Sequence, residues 1–129
     1  MNQLSALDIY YLLKEFKTLI GSKINNVYQL SKKEFYFQIH TPNKGKSYLK
    51  LSLPSFIFLT EKKETIETPS NFSIFLRKHL NNARIRSISQ KNFERIIEIQ
   101  LEKETTHILI IELFSKGNII LCDENYTII

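Results

Sequence analysis

The sequence has little of what secreted, fibrous or zinc-binding chains require. Its one cysteine, Cys122, leaves no partner for a disulfide within the chain and cannot by itself build a cysteine zinc site. Three glycines and three prolines among 129 residues argue against a fibrous or loop-rich chain. The first residues lack the basic and apolar segments of a signal peptide, and no apolar run approaches the length of a membrane span. We therefore expect a cytoplasmic protein with no membrane partner.

Motifs for catalysis and for cofactor binding are also absent from the sequence. It contains no G-x-S-x-G, H-E-x-x-H, P-loop or G-x-G-x-x-G pattern. His40, His79 and His107 fall in different predicted elements, without acidic neighbours at metal-ligand spacing. We predict that the chain is not an enzyme and that it binds no cofactor, metal ion or small-molecule substrate.

The composition that is present indicates one folded domain over residues 1–129. Hydrophobic residues make up 43% of the chain and aromatic residues 12%, which is enough for a packed core. The formal net charge of +5 favours a polyanionic partner such as RNA. A lysine-rich solvated surface is the alternative explanation of the same charge.

Two amphipathic helices are predicted from apolar residues that recur at helical spacing, over 6–20 and 70–80. Ser5 and Asp8 have the spacing of a capping box at the start of the first helix. Gly21 is suited to end that helix in a left-handed conformation. The second helix divides the chain into two sets of strands.

Alternating apolar residues predict strands on both sides of the second helix. They cover 23–30, 34–40, 48–53, 56–60, 84–90, 93–101, 107–114 and 118–122, with a further strand beginning at 126. The alternation directs six side chains into the core, namely Phe35, Phe37, Leu49, Leu51, Ile97 and Ile99, and directs Tyr36 outward. The charged connection 61–68 is expected to be mobile. Because most connections are short, we predict an α+β fold, a two-layer antiparallel β-sandwich with two packed α-helices.

Two charged residues interrupt the apolar rows of the predicted strands. Arg95 lies in the row of Ile97, and Glu112 lies in the row of Ile110. A buried charge needs a partner, so the two residues either pair with each other or nearby backbone, or contact a ligand at the rim. A similar choice applies to the face of the first helix that carries Tyr10, Lys14 and Lys17, which either binds phosphate or stacks on a base, or is a solvated face.

Several blocks of this sequence resemble, in order, the N-terminal domain of the NFACT family of RqcH, NEMF and fibronectin-binding-protein-A-like proteins. They are G-S-K-I-N-N-V-Y-Q at 21–29, P-S-N-F-S-I-F-L-R-K-H-L at 69–80, Q-K-N-F-E-R-I-I at 90–97 and I-E-L-F-S-K-G-N-I-I-L at 111–121. Asn81 and Asn82 stand where the family often has two glycines, and Glu94 stands where aspartate is common. The resemblance implies an NFACT-N-like domain that begins a longer protein.

The resemblance also implies a function in ribosome-associated quality control. Proteins of this kind bind the large ribosomal subunit with its stalled peptidyl-tRNA, and recruit charged tRNA for C-terminal tailing of the nascent chain. The resemblance assigns tRNA handling to the Glu94–Arg95 pair and to the Glu112, Leu113 and Phe114 block. The basic residues of the matched blocks, Arg77, Lys78 and Lys116, complete the candidate RNA-binding set.

Two other functions are consistent with parts of this pattern. The predicted fold resembles the N-terminal domain of formamidopyrimidine-DNA glycosylases, which use an N-terminal proline amine and an adjacent glutamate. This chain begins Met1-Asn2-Gln3 and has neither. The family naming also suggests an adhesion module that binds fibronectin, although the sequence carries no export signal.

Overall fold

A computed structural model describes residues 3–64 and 69–129 of the chain. The elements, in chain order, are α1 (Ala6–Phe16), followed by a 3-10 turn (Lys17–Leu19), β1 (Lys23–Ser31), β2 (Glu34–Thr41), β3 (Gly45–Ser52), β4 (Phe56–Thr60), α2 (Asn71–Leu80), β5 (Arg84–Gln90), β6 (Ile96–Glu102), β7 (Thr106–Glu112) and β8 (Asn118–Asp123). No helix in these two ranges is long and apolar enough to cross a membrane.

Both helices begin where the sequence predicts. The Ser5 Oγ accepts a hydrogen bond from the Asp8 backbone N–H at 3.1 Å, and the Asp8 carboxylate accepts one from the Ser5 N–H at 2.9 Å, which completes the capping box. The Ser70 Oγ caps α2 by accepting a hydrogen bond from the Ser73 N–H at 3.0 Å. The first helix is shorter than predicted, because it tightens into a 3-10 turn after Phe16 and leaves Ile20 exposed.

All eight strands form one antiparallel sheet in the order β4-β3-β2-β1-β5-β6-β7-β8. The sheet consists of two four-stranded halves, each built from consecutive hairpins. The halves meet at a single ladder pair, Lys23 with Arg84. The α+β class and the antiparallel strands are confirmed.

The core lies between the two halves of the sheet. All six side chains predicted to point inward are at most 3% exposed: Phe35, Phe37, Leu49, Leu51, Ile97 and Ile99. Turns from the two halves also touch, since the Lys33 Nζ donates a hydrogen bond to the Lys116 carbonyl at 2.7 Å. These contacts are consistent with the predicted two-layer sandwich.

Each helix packs mainly on a strand from the half of the sheet that does not come directly after it in the chain. The helix α1 precedes β1 in the chain, but its strand contacts are mainly with β5. The helix α2 precedes β5, and packs on β1. The Gln90 side chain reinforces the first contact by donating a hydrogen bond to the Ala6 carbonyl at 2.8 Å.

The prediction that a strand begins at Phe93 is wrong. The strand β6 begins at Ile96, and Phe93 lies in the preceding loop with 56% of its surface exposed. Asn92 and Phe93 have φ angles of +49° and +55°, which is the left-handed region. Extended pairing cannot continue through left-handed residues, so the ladder begins only after them.

Two further predictions about the strands need correction. Tyr36 is buried on the outer face of β2, where its ring meets Tyr48 at 6.0 Å between centroids and Lys50 lies over it at 5.2 Å. The segment that begins at Tyr126 forms only one isolated bridge, between Ile128 and Cys122. The connection predicted to be mobile, 61–68, includes residues 65–68, which lie outside the described residues.

Candidate functional site

The β5–β6 loop and the end of β7 bring five of the predicted site residues to one end of the sandwich. The Leu113 N–H donates a hydrogen bond to the Arg95 carbonyl at 2.8 Å, and Ile96 pairs with Glu112 in the ladder. Glu94 and Phe114 flank these two connections in the sequence. The blocks around 94–95 and 112–114 are therefore adjacent in space.

A groove of about 530 Å³ opens between this loop and the start of α1. Glu94, Arg95 and Phe114 line one side of it, and residues 3–6 line the other. The Arg95 Nη1 donates a hydrogen bond to the Gln3 Oε1 at 3.1 Å across the groove. A guanidinium carries five N–H donors, so this one bond leaves it able to bind a further acceptor.

Gln90 fixes the loop that carries this groove. Its Nε2 donates to the Ala6 carbonyl and to the Glu94 carbonyl, both at 2.8 Å. The loop is closed further by the Lys91 N–H, which donates to the Ile96 carbonyl at 3.0 Å. Sequence reasoning assigned no such function to Gln90. Its place at the end of a strand next to a polar loop was the one available signal.

Of the alternatives left open for Arg95 and Glu112, the direct pair with each other is not formed. Ion pairs among the described residues join Lys50 to Glu34, Arg86 to Glu102 and Lys91 to Glu98. Arg95 precedes the first ladder residue of β6, so it is not in the strand row that the alternation assumed. It bonds Gln3 instead, and Glu112 is half-buried between the ladder partners Ile96 and Asn118.

The other members of the block differ in their access to solvent. The Leu113 side chain is completely buried, so RNA cannot reach it, although its backbone holds Arg95 in place. Phe114 is half-buried at the groove. Lys116 is exposed on the β7–β8 turn, close to Lys33.

The two basic residues of α2 lie away from this groove. The Arg77 Nε donates to the Val27 carbonyl at 2.7 Å, and its guanidinium lies 5.2 Å from the centre of the Tyr28 ring. Lys78 is exposed beside Lys103, in the turn at the far end of β6 from Arg95. At about 3.3 Å per strand residue, those two ends are roughly 25 Å apart. The predicted set is therefore divided between two regions.

The region near Lys78 also contains two histidines in contact. The ring centroids of His79 and His107 are 5.6 Å apart, and the Phe75 ring meets His79 edge-on at 4.9 Å. Partial burial lowers the pKa of His79 below its ordinary value of 6.5, and the nearby positive charges of His107, Lys78 and Lys103 lower it by smaller amounts. The neutral form of this imidazole is thus favoured in the folded protein.

The family is identified by comparison with known proteins. Residues 5–129 match the family described as NFACT N-terminal and middle domains, and the chain belongs to this family. It is 36% identical over 127 residues to ribosome quality control complex subunit 2 of Saccharomyces cerevisiae, a match that covers 95% of this chain and 12% of that protein. It is 34% identical over 131 residues to human ribosome quality control complex subunit NEMF, covering 99% of this chain and 12% of that protein.

Solved structures share the same fold. The N-terminal domain of fibronectin-binding protein PavA from Streptococcus pneumoniae has a TM-score of 0.86 at 30% identity, over 95% of this chain and 50% of that one. The N-terminal part of the fibronectin/fibrinogen-binding protein from Streptococcus suis has a TM-score of 0.89 at 28% identity, over 98% of this chain and 52% of that one.

A further relative by sequence is the archaeal Rqc2 homolog aRqcH of Methanocaldococcus jannaschii, which is 28% identical, and this chain spans 20% of its length.

Proposed function

We propose that the chain is the RNA-binding module of a ribosome-associated quality control factor. Relatives named as ribosome quality control subunits support a role in ribosome quality control. The net charge of +5 suits an RNA partner. The observation that carries the proposal is the groove in which Glu94, Arg95 and Phe114 meet. Because the chain spans a small part of these relatives, the proposal concerns the contribution of this segment to a longer protein.

The groove has the donors and acceptors that recognition of folded RNA requires. The planar guanidinium of Arg95 is suited to bind a phosphate through two parallel hydrogen bonds. The Glu94 carboxylate only accepts hydrogen bonds, so it would select amino groups of bases or a ribose 2′-hydroxyl and repel a misplaced phosphate. Lys116 on the neighbouring turn would add a longer-range attraction for the RNA backbone.

The proposed ligand is tRNA bound to the large ribosomal subunit. In this reading the groove contacts peptidyl-tRNA left by a stalled ribosome, or the incoming charged tRNA that supports C-terminal tailing. The module binds and positions RNA and breaks no covalent bond itself. Arg77 and Lys78, which lie away from the groove, would contact a different part of the RNA or the ribosome.

The first prediction is that Arg95→Ala weakens tRNA binding by the intact chain about tenfold. A charge-assisted hydrogen bond contributes about 1.5–3 kcal/mol, and about 1.4 kcal/mol corresponds to a factor of ten. Glu94→Gln should change which tRNAs bind more than it changes total affinity. Fluorescence anisotropy with labelled tRNA at two salt concentrations measures both effects, since phosphate contacts weaken as salt rises.

Arg86→Ala is the matched control for the Arg95 variant. Arg86 is an exposed arginine of β5 that pairs with Glu102 at 2.6 Å, at the far end of β6 from the groove. This variant removes the same charge but should bind tRNA within twofold of the wild type. Equal losses from Arg86→Ala and Arg95→Ala would mean that only net charge matters, and the proposed site would be wrong.

The two other functions considered from the sequence have direct assays. Binding of the chain to immobilised fibronectin, with no binding to tRNA or to large ribosomal subunits, would favour an adhesion module instead. Cleavage of DNA at an abasic site, trapped by borohydride on the N-terminal amine, would favour a glycosylase. We expect neither result.

A further inference from the structure

A second groove, which we call the α1–β5 groove, lies between α1 and the β5–β6 loop. It has a volume of about 490 Å³, and is lined by residues that include Tyr10, Lys14, Lys17, Asn92 and Phe93. A volume of this size is in the range of small-ligand sites, about 300–1,000 Å³. None of the residues that line it also lines the groove at Glu94 and Arg95.

Aromatic rings form the rim of the α1–β5 groove and remain open to solvent. Phe93 is 56% exposed and Tyr10 is 45% exposed, with 6.1 Å between their ring centroids. Tyr11, 59% exposed, meets the Tyr10 ring edge-on at 5.3 Å. Three adjacent exposed rings form a larger apolar surface than isolated exposed side chains do, and such surfaces mark interaction sites.

The backbone holds Phe93 in this exposed position. A left-handed φ of +55° is unfavourable for a bulky residue, and such conformations persist only where surrounding contacts impose them. Here the contacts are the turn bond from the Glu94 N–H to the Lys91 carbonyl, 2.8 Å, and the two hydrogen bonds of the Gln90 side chain to the Ala6 and Glu94 carbonyls. The ring is thus presented by a fixed loop rather than by a loose one.

The charge around these rings is positive. The Lys14 Nζ lies 5.1 Å from the centre of the Tyr10 ring and 5.2 Å from that of Tyr11. Lys17 is one helical turn further along the same face. Among the described residues, no carboxylate lines this groove, whereas Ser89 and Asn92 offer neutral hydrogen-bonding groups.

We propose that the α1–β5 groove binds an unpaired nucleotide of single-stranded RNA, with its base stacked on the Phe93 ring and in edge contact with the Tyr10 ring, which is inclined at 58° to it, and with its flanking phosphates bound by Lys14 and Lys17. Exposed rings with neighbouring lysines are the combination by which proteins bind single strands without strict sequence preference. The negative phosphates of the RNA would bind the lysines, and the planar base would contact the aromatic rings. An acidic peptide would match the charge but would leave the rings without a planar partner.

This inference rests on the proposed RNA-binding function but concerns a different groove. The β5–β6 loop separates the two, because Phe93 faces the α1–β5 groove while Glu94 and Arg95 face the other. An RNA that crosses this loop would contact Arg95 through a paired region or through its backbone. Its next unpaired base would then lie on Phe93. The two grooves can therefore be tested with different RNAs.

The test uses the intact chain and a labelled eight-nucleotide single-stranded RNA, with a duplex of the same length for comparison. Tyr10→Leu and Phe93→Leu should each weaken binding of the single strand about tenfold, because stacking contributes about 1–3 kcal/mol per base. Tyr10→Phe keeps the ring and should bind like the wild type. Lys14→Gln should weaken binding and reduce its salt dependence.

Phe58→Leu and Lys46→Gln are the matched controls for the ring and charge variants. Phe58 is a 42% exposed aromatic residue on β4, and Lys46 is an exposed lysine on β3. Both variants should leave single-strand binding unchanged, and all variants should keep the wild-type circular dichroism spectrum and melting temperature within a few degrees.

The results separate this inference from the function on which it rests. Loss of tRNA binding in Arg95→Ala, with wild-type single-strand binding in Tyr10→Leu and Phe93→Leu, would keep the proposed function and overturn the stacking site. Failure of the wild-type chain to bind either RNA would overturn both. Binding of an acidic peptide at the groove, with no binding of the single strand, would also overturn the stacking site.

Discussion

We expect the His79 side chain to make the stability of the fold sensitive to acid. Its pKa in the folded protein is below the ordinary value of 6.5, so the unfolded chain takes up a proton more readily than the folded one. The stabilisation that follows is fully present above the unfolded pKa and is lost as the pH falls through the lowered folded pKa. We therefore expect the melting temperature to decrease between pH 7 and pH 5.

His79→Gln should reduce that decrease, because the substituted residue takes up no proton. The measurement is the melting temperature at half-unit pH steps, by circular dichroism. His40→Gln is the comparison variant, since it removes a histidine from an exposed position on β2. A profile that is the same in wild type and His79→Gln would show that other groups cause the acid sensitivity.

Single side chains were predictable from the sequence where local periodicity alone decides their position. The inward direction of Phe37 and Ile97 follows from alternation along one strand, and both are buried. The partner of Arg95 was not predictable in this way. Gln3 is 92 residues away in the chain, and only the packing of α1 beside the β5–β6 loop brings the two together.

At the scale of elements, the β7–β8 turn is fitted closely against the β3–β4 turn. A Cβ atom added to Gly117 would lie 2.7 Å from the Leu53 Cβ and 3.1 Å from the Pro54 Cα. Gly45 has a similar positive φ, +85° against +76°, but nothing lies within 4 Å of an added Cβ. Both glycines adopt a left-handed backbone, and only Gly117 also lacks the space for a side chain.

Gly117→Ala should consequently destabilise the protein more than Gly45→Ala. We expect a cost of about 1 kcal/mol for the left-handed backbone in both variants, and at least about 1 kcal/mol more for the close approach at Gly117. Urea unfolding of both variants measures the difference. Equal destabilisation would mean that the β3–β4 turn moves aside at no cost.

The elements themselves were predictable, but the loop that forms the candidate site was not. Capping residues and apolar spacing locate both helix starts, because these signals act within a few residues. The sequence predicts a strand through the β5–β6 loop, since Phe93 and Ile97 fall in one alternating row that continues through it. Its left-handed residues lie in a turn closed by the Glu94 N–H and the Lys91 carbonyl, and Gln90 joins this turn to the Ala6 carbonyl, 84 residues away, a contact that no local pattern encodes.

At the scale of the whole molecule, the order of strands follows from the sequence because short connections require neighbouring antiparallel strands. How the two four-stranded halves join does not follow from it. The halves meet at Lys23 and Arg84, where backbone hydrogen bonds such as Ile85 N–H to the Ser22 carbonyl, 2.8 Å, connect them. Such pairing between distant segments depends on the closed core rather than on any turn signal.

The crossed packing of the two helices leads us to expect that the domain can be assembled from two separate fragments. A fragment of residues 1–64 contains α1 without its partner β5, and a fragment of residues 65–129 contains α2 without its partner β1. Each fragment alone should remain unfolded or aggregate, because the helix that packs on its strands in the intact chain belongs to the other fragment. Mixed together, the fragments should assemble into one folded heterodimer with a cooperative melting transition, which circular dichroism and size-exclusion chromatography would detect. A cooperative transition in either fragment alone would contradict this. From the crossed packing of the helices we therefore expect the two fragments to bind each other specifically.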